Sequence, residues 1–529
     1  MIERAIENWL TNTNERNYQV AFCQVLLKKG HKVIYVSSHR PMEQGKDIVT
    51  IDSNGGYCAY QLKTGKIDLK EWRKISGQVR ELIELPIVHP SVDKTKVHKS
   101  FLVTNGEIID EVRIQIDQIN EDNQRKGRGY SYLEIINGQT LLKEFIDAQG
   151  KFIPQELKDF DLFLKLFLAD GTDFLPKDKY FSFFNNTVFK DTPGQKSDAI
   201  NAISGSIIIT TYLLNPYQIR KNYYALFEAW TSLAACIVRY AQRTGLRKED
   251  WIDSFNLAVS EIVRNLLLLK DETLKRKDFL EGDSLGDGWL VYRARATIVF
   301  GALATLELYR HKTDKEYIQD NRLLELIKSN INMLWLWGES ALPHFFGLIK
   351  YLELCGEYEV ARSLLNALFL GVISSNAPRV SVSLANPYYS VNAVLEAVLE
   401  AMLGIDIEKI DFSQFSGSSY TLEAIISMIA RRNEKELLKK NWRQLSHIAF
   451  KEFKPDKVED TFAWLTREGS NHVELPKATQ SWAELVKEAN DLNGVPDLYL
   501  QYSDLLRFFI LVCPHRTNKL VIRALDTNH

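Results

Sequence analysis

Cysteine is scarce in this chain of 529 residues. The five present (Cys23, Cys58, Cys236, Cys355 and Cys513) are odd in number and far apart. Their spacing argues against a disulfide scaffold and fits a reducing, cytoplasmic setting. No CxxC occurs, which argues against a zinc site. Long apolar runs are also lacking. IVFGALATL at 298–306 falls well short of the ~20 residues that span a bilayer. The first residues, MIERAIENWL, are charged and carry no apolar core of a signal peptide. The formal net charge is only −2, which predicts no overall attraction to nucleic acid or membrane. No GxxxxGK[ST], HExxH or GxSxG occurs, so the chain is not itself a P-loop motor and shows no zincin or esterase signature. GDSLGDG at 282–288 lacks the spacing of a calcium loop or a dinucleotide fingerprint and reads as a loop with a helix cap. His311, His344, His447 and His472 are isolated and read as structural or surface residues.

What is present is the composition of a folded protein, 45% hydrophobic and 25% charged, on a chain too long for one core. Charge is uneven. Residues 1–100 hold 16 Lys and Arg against 11 Asp and Glu, a net of +5, so the remainder carries −7. The first ~148 residues alternate between helical and strand periodicity. Residues 14–29 place Tyr18, Phe22, Val25 and Leu26 at helical spacing, with Asn14 as N-cap and Gly30 as stop. VIYV (33–36), IVTI (48–51) and YCAYQL (57–62) read as strands, the last two joined by a turn at Asn54-Gly55-Gly56. Residues 68–85 start at an Asp cap and read as a helix, KSFLVT (99–104) as a strand, 108–124 as a helix, 130–136 as a strand and 139–148 as a helix. A three-strand meander followed by crossover helices predicts an α/β domain over 1–148, with a mixed sheet and helices on both faces. Beyond it, long helical patterns at 223–245, 251–269, 292–311 and 321–337 predict a large, irregular all-α region. Residues 345–369 resemble one tetratricopeptide-type hairpin, without a repeat that recurs cleanly. Ser, Asn and Pro cluster at 374–386, which divides this region into 149–375 and 376–529.

The chemistry concentrates in KDIVTIDSNGGYCAYQLKTGK, residues 46–66. Hydrolysis of a phosphodiester with a divalent ion needs carboxylate and carbonyl oxygens, and a group beside the attacking water. Gln61 and Lys63 are two apart on one strand and share a face. Asp47, at the start of the paired strand, meets that face if the register brings it opposite. Taken singly, Asp47 is an ordinary strand-end acid, Gln61 a polar residue on a solvated strand face, and Lys63 a surface lysine. Together, at a strand end that is otherwise apolar, they read as a site. Lys66, Lys70, Arg73 and Lys74 follow at i, i+4, i+7 and i+8, the spacing of one helical face, where phosphates are met. An ordinary solvated face reads equally well. The loops DKTKVHK (93–99) and RKGR (125–128) read as plain loop charge, and Asn105 as a turn residue.

D-x13-Q-x-K, with a helix before it and a helix and strand after it, resembles the PD-(D/E)xK restriction-endonuclease-like nucleases. The Gln form is similar to their Mrr-like and archaeal resolvase-like branches. The resemblance covers residues ~14–148. It implies a restriction-endonuclease-like mixed sheet, cleavage of DNA with Mg2+ or Mn2+, and Asp47, Gln61 and Lys63 as the site. The family adds an acid on the preceding helix. Here Gln19 stands at the matching position and Glu15 one turn earlier. Either Glu15 serves, or Gln19 ligates through its carbonyl, or no helix ligand is used. The proline before the family's acid is replaced by Lys46. A small nuclease fused to a long helical region is similar in layout to restriction and bacterial antiphage defence effectors. That layout implies that the helical region binds a protein partner, oligomerises or senses a trigger. Two other functions fit the same sequence: a nuclease that prefers RNA, and a non-catalytic scaffold with a degenerate nuclease domain.

Overall fold

Asn14 accepts a hydrogen bond from the Asn17 amide at 3.0 Å. This cap starts helix α2 (Glu15–Lys28), which follows α1 (Ile2–Asn12). The computed structural model describes residues 2–37, 45–89, 92–93, 96–130, 132–149, 157–190, 196–276, 288–377, 383–402, 416–463, 471–474 and 480–526. After α2 come β1 (Lys32–Val36), β2 (Ile48–Ile51), β3 (Tyr57–Lys63), α3 (Leu69–Glu84), β4 (Lys99–Thr104), α4 (Asp110–Arg125), β5 (Leu133–Ile136) and α5 (Gly138–Gln149). The β2–β3 turn is held by the Asp52 carboxylate, which accepts from the amides of Asn54 and Gly56.

The five strands form one sheet in the order β1-β2-β3-β4-β5. β1–β2 and β2–β3 are antiparallel, while β3–β4 and β4–β5 are parallel. This is the mixed sheet expected from a meander followed by two crossovers. β3 lies at its centre and alternates strictly. Cys58, Tyr60 and Leu62 join the core beneath α1, α2 and α5. Ala59 joins the core on the opposite face, beneath α3 and α4. Helix α1 was not expected from the sequence. Its Trp9 packs edge-on against Tyr212 at 4.4 Å and Phe145 at 5.8 Å, a fit that only the tertiary fold supplies.

The chain divides into two compact units, Met1–Arg264 and Asn265–His529. Residue 148 falls inside the first, where the helix Lys196–Leu213 contributes Ile208 and Tyr212 to the core under the sheet. Residue 375, the second expected boundary, falls inside the second unit. That unit is largely helical but not all-α, as the sequence had suggested. Ser418–Ser419, Ala449–Phe453 and Asn471–Glu474 form a three-stranded sheet. The helix expected over 321–337 is Asn321–Ser329, followed by a 3-10 turn at Ile331–Met333. Residues 282–287 of GDSLGDG lie outside the described residues. Among the described residues no helix is long and apolar enough to cross a membrane.

Candidate metal centre

Every polar backbone group of Asp47 is held. Its amide donates to the Tyr60 carbonyl at 2.8 Å, and its carbonyl accepts from the Ser37 amide at 2.7 Å. The Gln19 amide nitrogen reaches the same carbonyl at 3.1 Å. The Asp47 carboxylate accepts from the Leu62 amide at 2.7 Å. Leu62 lies between Gln61 and Lys63, so the acid is anchored on the backbone that carries both partners. The register of β2 on β3, with Ile48 opposite Tyr60, produces this approach.

Gln61 is 2% exposed. Its Nε2 donates to Gln78 Oε1 on α3 at 3.0 Å. Its Oε1 is buried and has no hydrogen-bond partner. Several other buried polar atoms share that condition. What sets this one apart is its place, one residue from the amide that holds the Asp47 carboxylate. A buried carbonyl oxygen with no donor costs about 1–3 kcal/mol, so its presence calls for an explanation.

Lys63 ends β3. Its Nζ stands 3.9 Å from Glu15 Oε2, a long ion pair between a mostly covered ammonium and a half-exposed carboxylate. Its carbonyl accepts from the Tyr18 hydroxyl at 2.8 Å. Burial, then the nearby charges of Glu15 and Asp47, push the Tyr18 phenol well above its ordinary range, so it stays a neutral donor. Glu15 and Gln19 therefore both face the site, in different ways. Glu15 lies beside the ammonium, and Gln19 braces the backbone of Asp47.

Lys46, directly before Asp47, is buried and donates to the Glu81 carbonyl on α3 at 3.2 Å. Burial pushes its ammonium down to about 8. Asn105, buried at the end of β4, ties the loop after β3 to the end of α1. Its Oδ1 accepts from the Gly65 amide at 2.6 Å, and its Nδ2 donates to the carbonyls of Leu10 and Thr13 at 2.6 and 2.9 Å. Gly106 beside it is obligatory, because a Cβ there would lie 2.3 Å from the Gly65 carbonyl carbon.

Of the four cations expected on one helical face, three lie on it. The Asp68 side chain caps the Glu71 amide, so α3 starts at Leu69 and Lys66 precedes it in the loop. Ile67 next to it forms a bridge to Ile108, which is extended backbone. Lys70 and Arg73 are exposed, and Lys74 pairs with Glu71 at 2.6 Å.

Oxygen donors of a carboxylate and an amide suit a hard cation such as Mg2+ or Mn2+. Gln61 Oε1, buried without a partner one residue from the amide that holds the Asp47 carboxylate, has the chemistry of such a donor, and Glu15 is a second acid near Lys63. Among the described residues no three His, Cys, Asp or Glu side chains converge as a metal cluster. An ion held by so few protein oxygens would need waters to complete its shell, as Mg2+ commonly does. Sequence reasoning missed Gln78, Tyr18 and the bracing role of Gln19. For Gln78 a signal existed: with Lys70 and Lys74 it stands at i, i+4 and i+8 of the helix. Compared with models of known protein families, with curated proteins and with solved structures, the chain shows no match.

Proposed function

We propose that this chain is a metal-dependent endonuclease that hydrolyses DNA phosphodiester bonds, its N-terminal sheet being a restriction-endonuclease-like fold of the PD-(D/E)xK kind. One observation carries the reading. The Asp47 carboxylate is anchored on the Leu62 amide, between Gln61 and Lys63, and Gln61 Oε1 is buried with no hydrogen-bond partner. A bound Mg2+ or Mn2+ would supply Lewis acidity and a more acidic water. Asp47 and Gln61 Oε1 would hold it. Lys63 places a cation where negative charge builds on the phosphate and its attacking water. Glu15 orients that ammonium, and Tyr18 fixes the backbone from which it projects. Lys70 and Arg73, exposed on the first turns of α3, meet the phosphate backbone. The low overall charge suits an enzyme positioned or triggered by something else. The helical region is assigned to a protein partner, oligomerisation or sensing, as in restriction or antiphage defence.

The test is cleavage of plasmid, linear duplex and RNA with Mg2+ or Mn2+, and again with a chelator. The expected result is metal-dependent cutting of DNA that falls about 10²- to 10⁴-fold in Asp47→Ala and in Lys63→Ala. Cutting that survives both substitutions removes the site. Cutting of RNA alone removes the assignment to DNA.

A further inference from the structure

Gln78 is exposed on α3, yet its side chain reaches a residue that is 2% exposed and lies 17 positions earlier. A primary amide carries its acceptor oxygen and its donor nitrogen on one planar carbon. With Gln61 Nε2 committed to Gln78 Oε1 at 3.0 Å, the plane of the amide, and with it the place of the partnerless Oε1, is set by that bond. Two further contacts fix the same helix against the strand that carries Asp47. Gly45 lies so close to α3 that a Cβ would stand 2.5 Å from the Gln78 carbonyl oxygen, and its φ is +71°. Lys46 Nζ donates to the Glu81 carbonyl one turn on. Helix α3 thus touches both metal-holding segments, through Gln78 and through Gly45 and Lys46. Lys70, Lys74 and Gln78 stand four apart along one row of this helix.

We propose that Gln78 is a positioning residue: it sets the orientation of the Gln61 amide and couples the metal-binding strand end to the cationic helix that receives the phosphate backbone. The inference rests on the nuclease reading. Groups behind a metal ligand commonly alter metal affinity when removed, by about 10- to 100-fold. Gln78→Met keeps the length of the side chain and removes the acceptor. Gln78→Glu keeps the acceptor.

The test is Mn2+ binding to the full chain by titration calorimetry, with plasmid cleavage measured alongside. Gln78→Met is expected to weaken Mn2+ binding about tenfold and to lower kcat, with KM for DNA little changed. Gln78→Glu is expected to bind Mn2+ at least as tightly as the wild type. Asp47→Ala is expected to abolish binding. If Asp47→Ala loses Mn2+ while Gln78→Met binds like the wild type, the positioning role is wrong and the nuclease reading stands. The positioning role is equally wrong if Gln78→Glu falls together with Gln78→Met. If the wild type binds no Mn2+, or Asp47→Ala binds it unchanged, the nuclease reading fails and this inference with it.

Discussion

Two buried polar clusters, one in each unit, are built to opposite rules. In the second unit, Arg432 makes four hydrogen bonds of 2.6–3.0 Å to the carboxylates of Glu353 and Asp526. Lys350 approaches Asp526 at 3.2 Å. Two cations meet two carboxylates, and the guanidinium fork matches both acids. At the end of β3 the fit is looser. Lys63 and Glu15 are 3.9 Å apart, and Gln61 Oε1 has no donor. A closed network joins helix ends and has little capacity left for a ligand. An open one costs stability and keeps that capacity. Neither burial nor an unmet hydrogen-bonding capacity marks a site by itself; at Gln61 the unmet capacity stands one residue from the anchor of the Asp47 carboxylate.

The closed cluster is the easier to break. Arg432→Met is expected to destabilise the second unit by about 3–5 kcal/mol, because it leaves the buried Asp526 and the partly buried Glu353 to share Lys350 alone. Denaturant unfolding followed by tryptophan fluorescence measures it. Equal stability of the variant and the wild type would mean that the network is ornamental.

Glu339 offers an intermediate case inside the second unit. It is buried, and its carboxylate accepts from the Ser419 hydroxyl and the Tyr420 amide. The positive charge of Lys451 also lowers its pKa, with the smallest effect of the causes. Burial outweighs these donors and pushes the carboxyl from 4.5 up to about 7. The native state then keeps a proton that the unfolded chain releases near its ordinary value. Stability is complete below the unfolded value and falls as pH rises through that window to about 7. The expected loss is roughly 1–3 kcal/mol. Thermal unfolding across that range should show the fall in the wild type, and a flatter profile in Glu339→Gln. A profile with the same slope in both would assign the pH dependence to another group.

The order of elements around the site was legible because its signals are local. Asn14 and Asp68 cap helices from within three residues, and residues 57–63 alternate between two cores. What was not legible depends on contacts between distant residues. Helix α1 is held by Phe145 and Tyr212, far along the chain. The small sheet of the second unit pairs a two-residue strand at 418–419 with residues 449–450, and residues 450–453 in turn with 471–474; the first run is too short for periodicity to register. Lys66 was placed on a helical face because its spacing allowed it, but the Asp68 cap starts the helix after it. The spacing of Asp47, Gln61 and Lys63 was visible. The partnerless oxygen of Gln61 and the hand of Gln78 behind it were not, since neither has a sequence signature.

The cations of α3 give a smaller effect, and one confined to the open cluster. Lys70→Ala with Arg73→Ala is expected to weaken DNA binding several-fold and to reduce the salt slope by about 2, one for each phosphate no longer neutralised. Thermal stability should stay within about 0.5 kcal/mol of the wild type, as for other exposed positions. Binding measured at several salt concentrations separates a phosphate contact, which changes the slope, from a general loss of fold, which does not. An unchanged slope would return this face to the solvent.

The smallest expected change in stability is the one that most sharpens the contrast between the two clusters. Gln61→Leu has nearly the same volume and removes the partnerless oxygen along with the bond to Gln78. The lost bond is partly exposed and contributes about 1 kcal/mol; removing the unsatisfied buried carbonyl returns about as much. The midpoint of unfolding should therefore stay put or rise slightly, whereas Arg432→Met drops it steeply. The same Gln61→Leu protein should lose metal-dependent cutting. A polar group whose removal leaves the fold intact and ends the activity is kept for its ligand. Marked destabilisation by Gln61→Leu would instead make Gln61 a structural residue like Arg432, and the open cluster would prove closed.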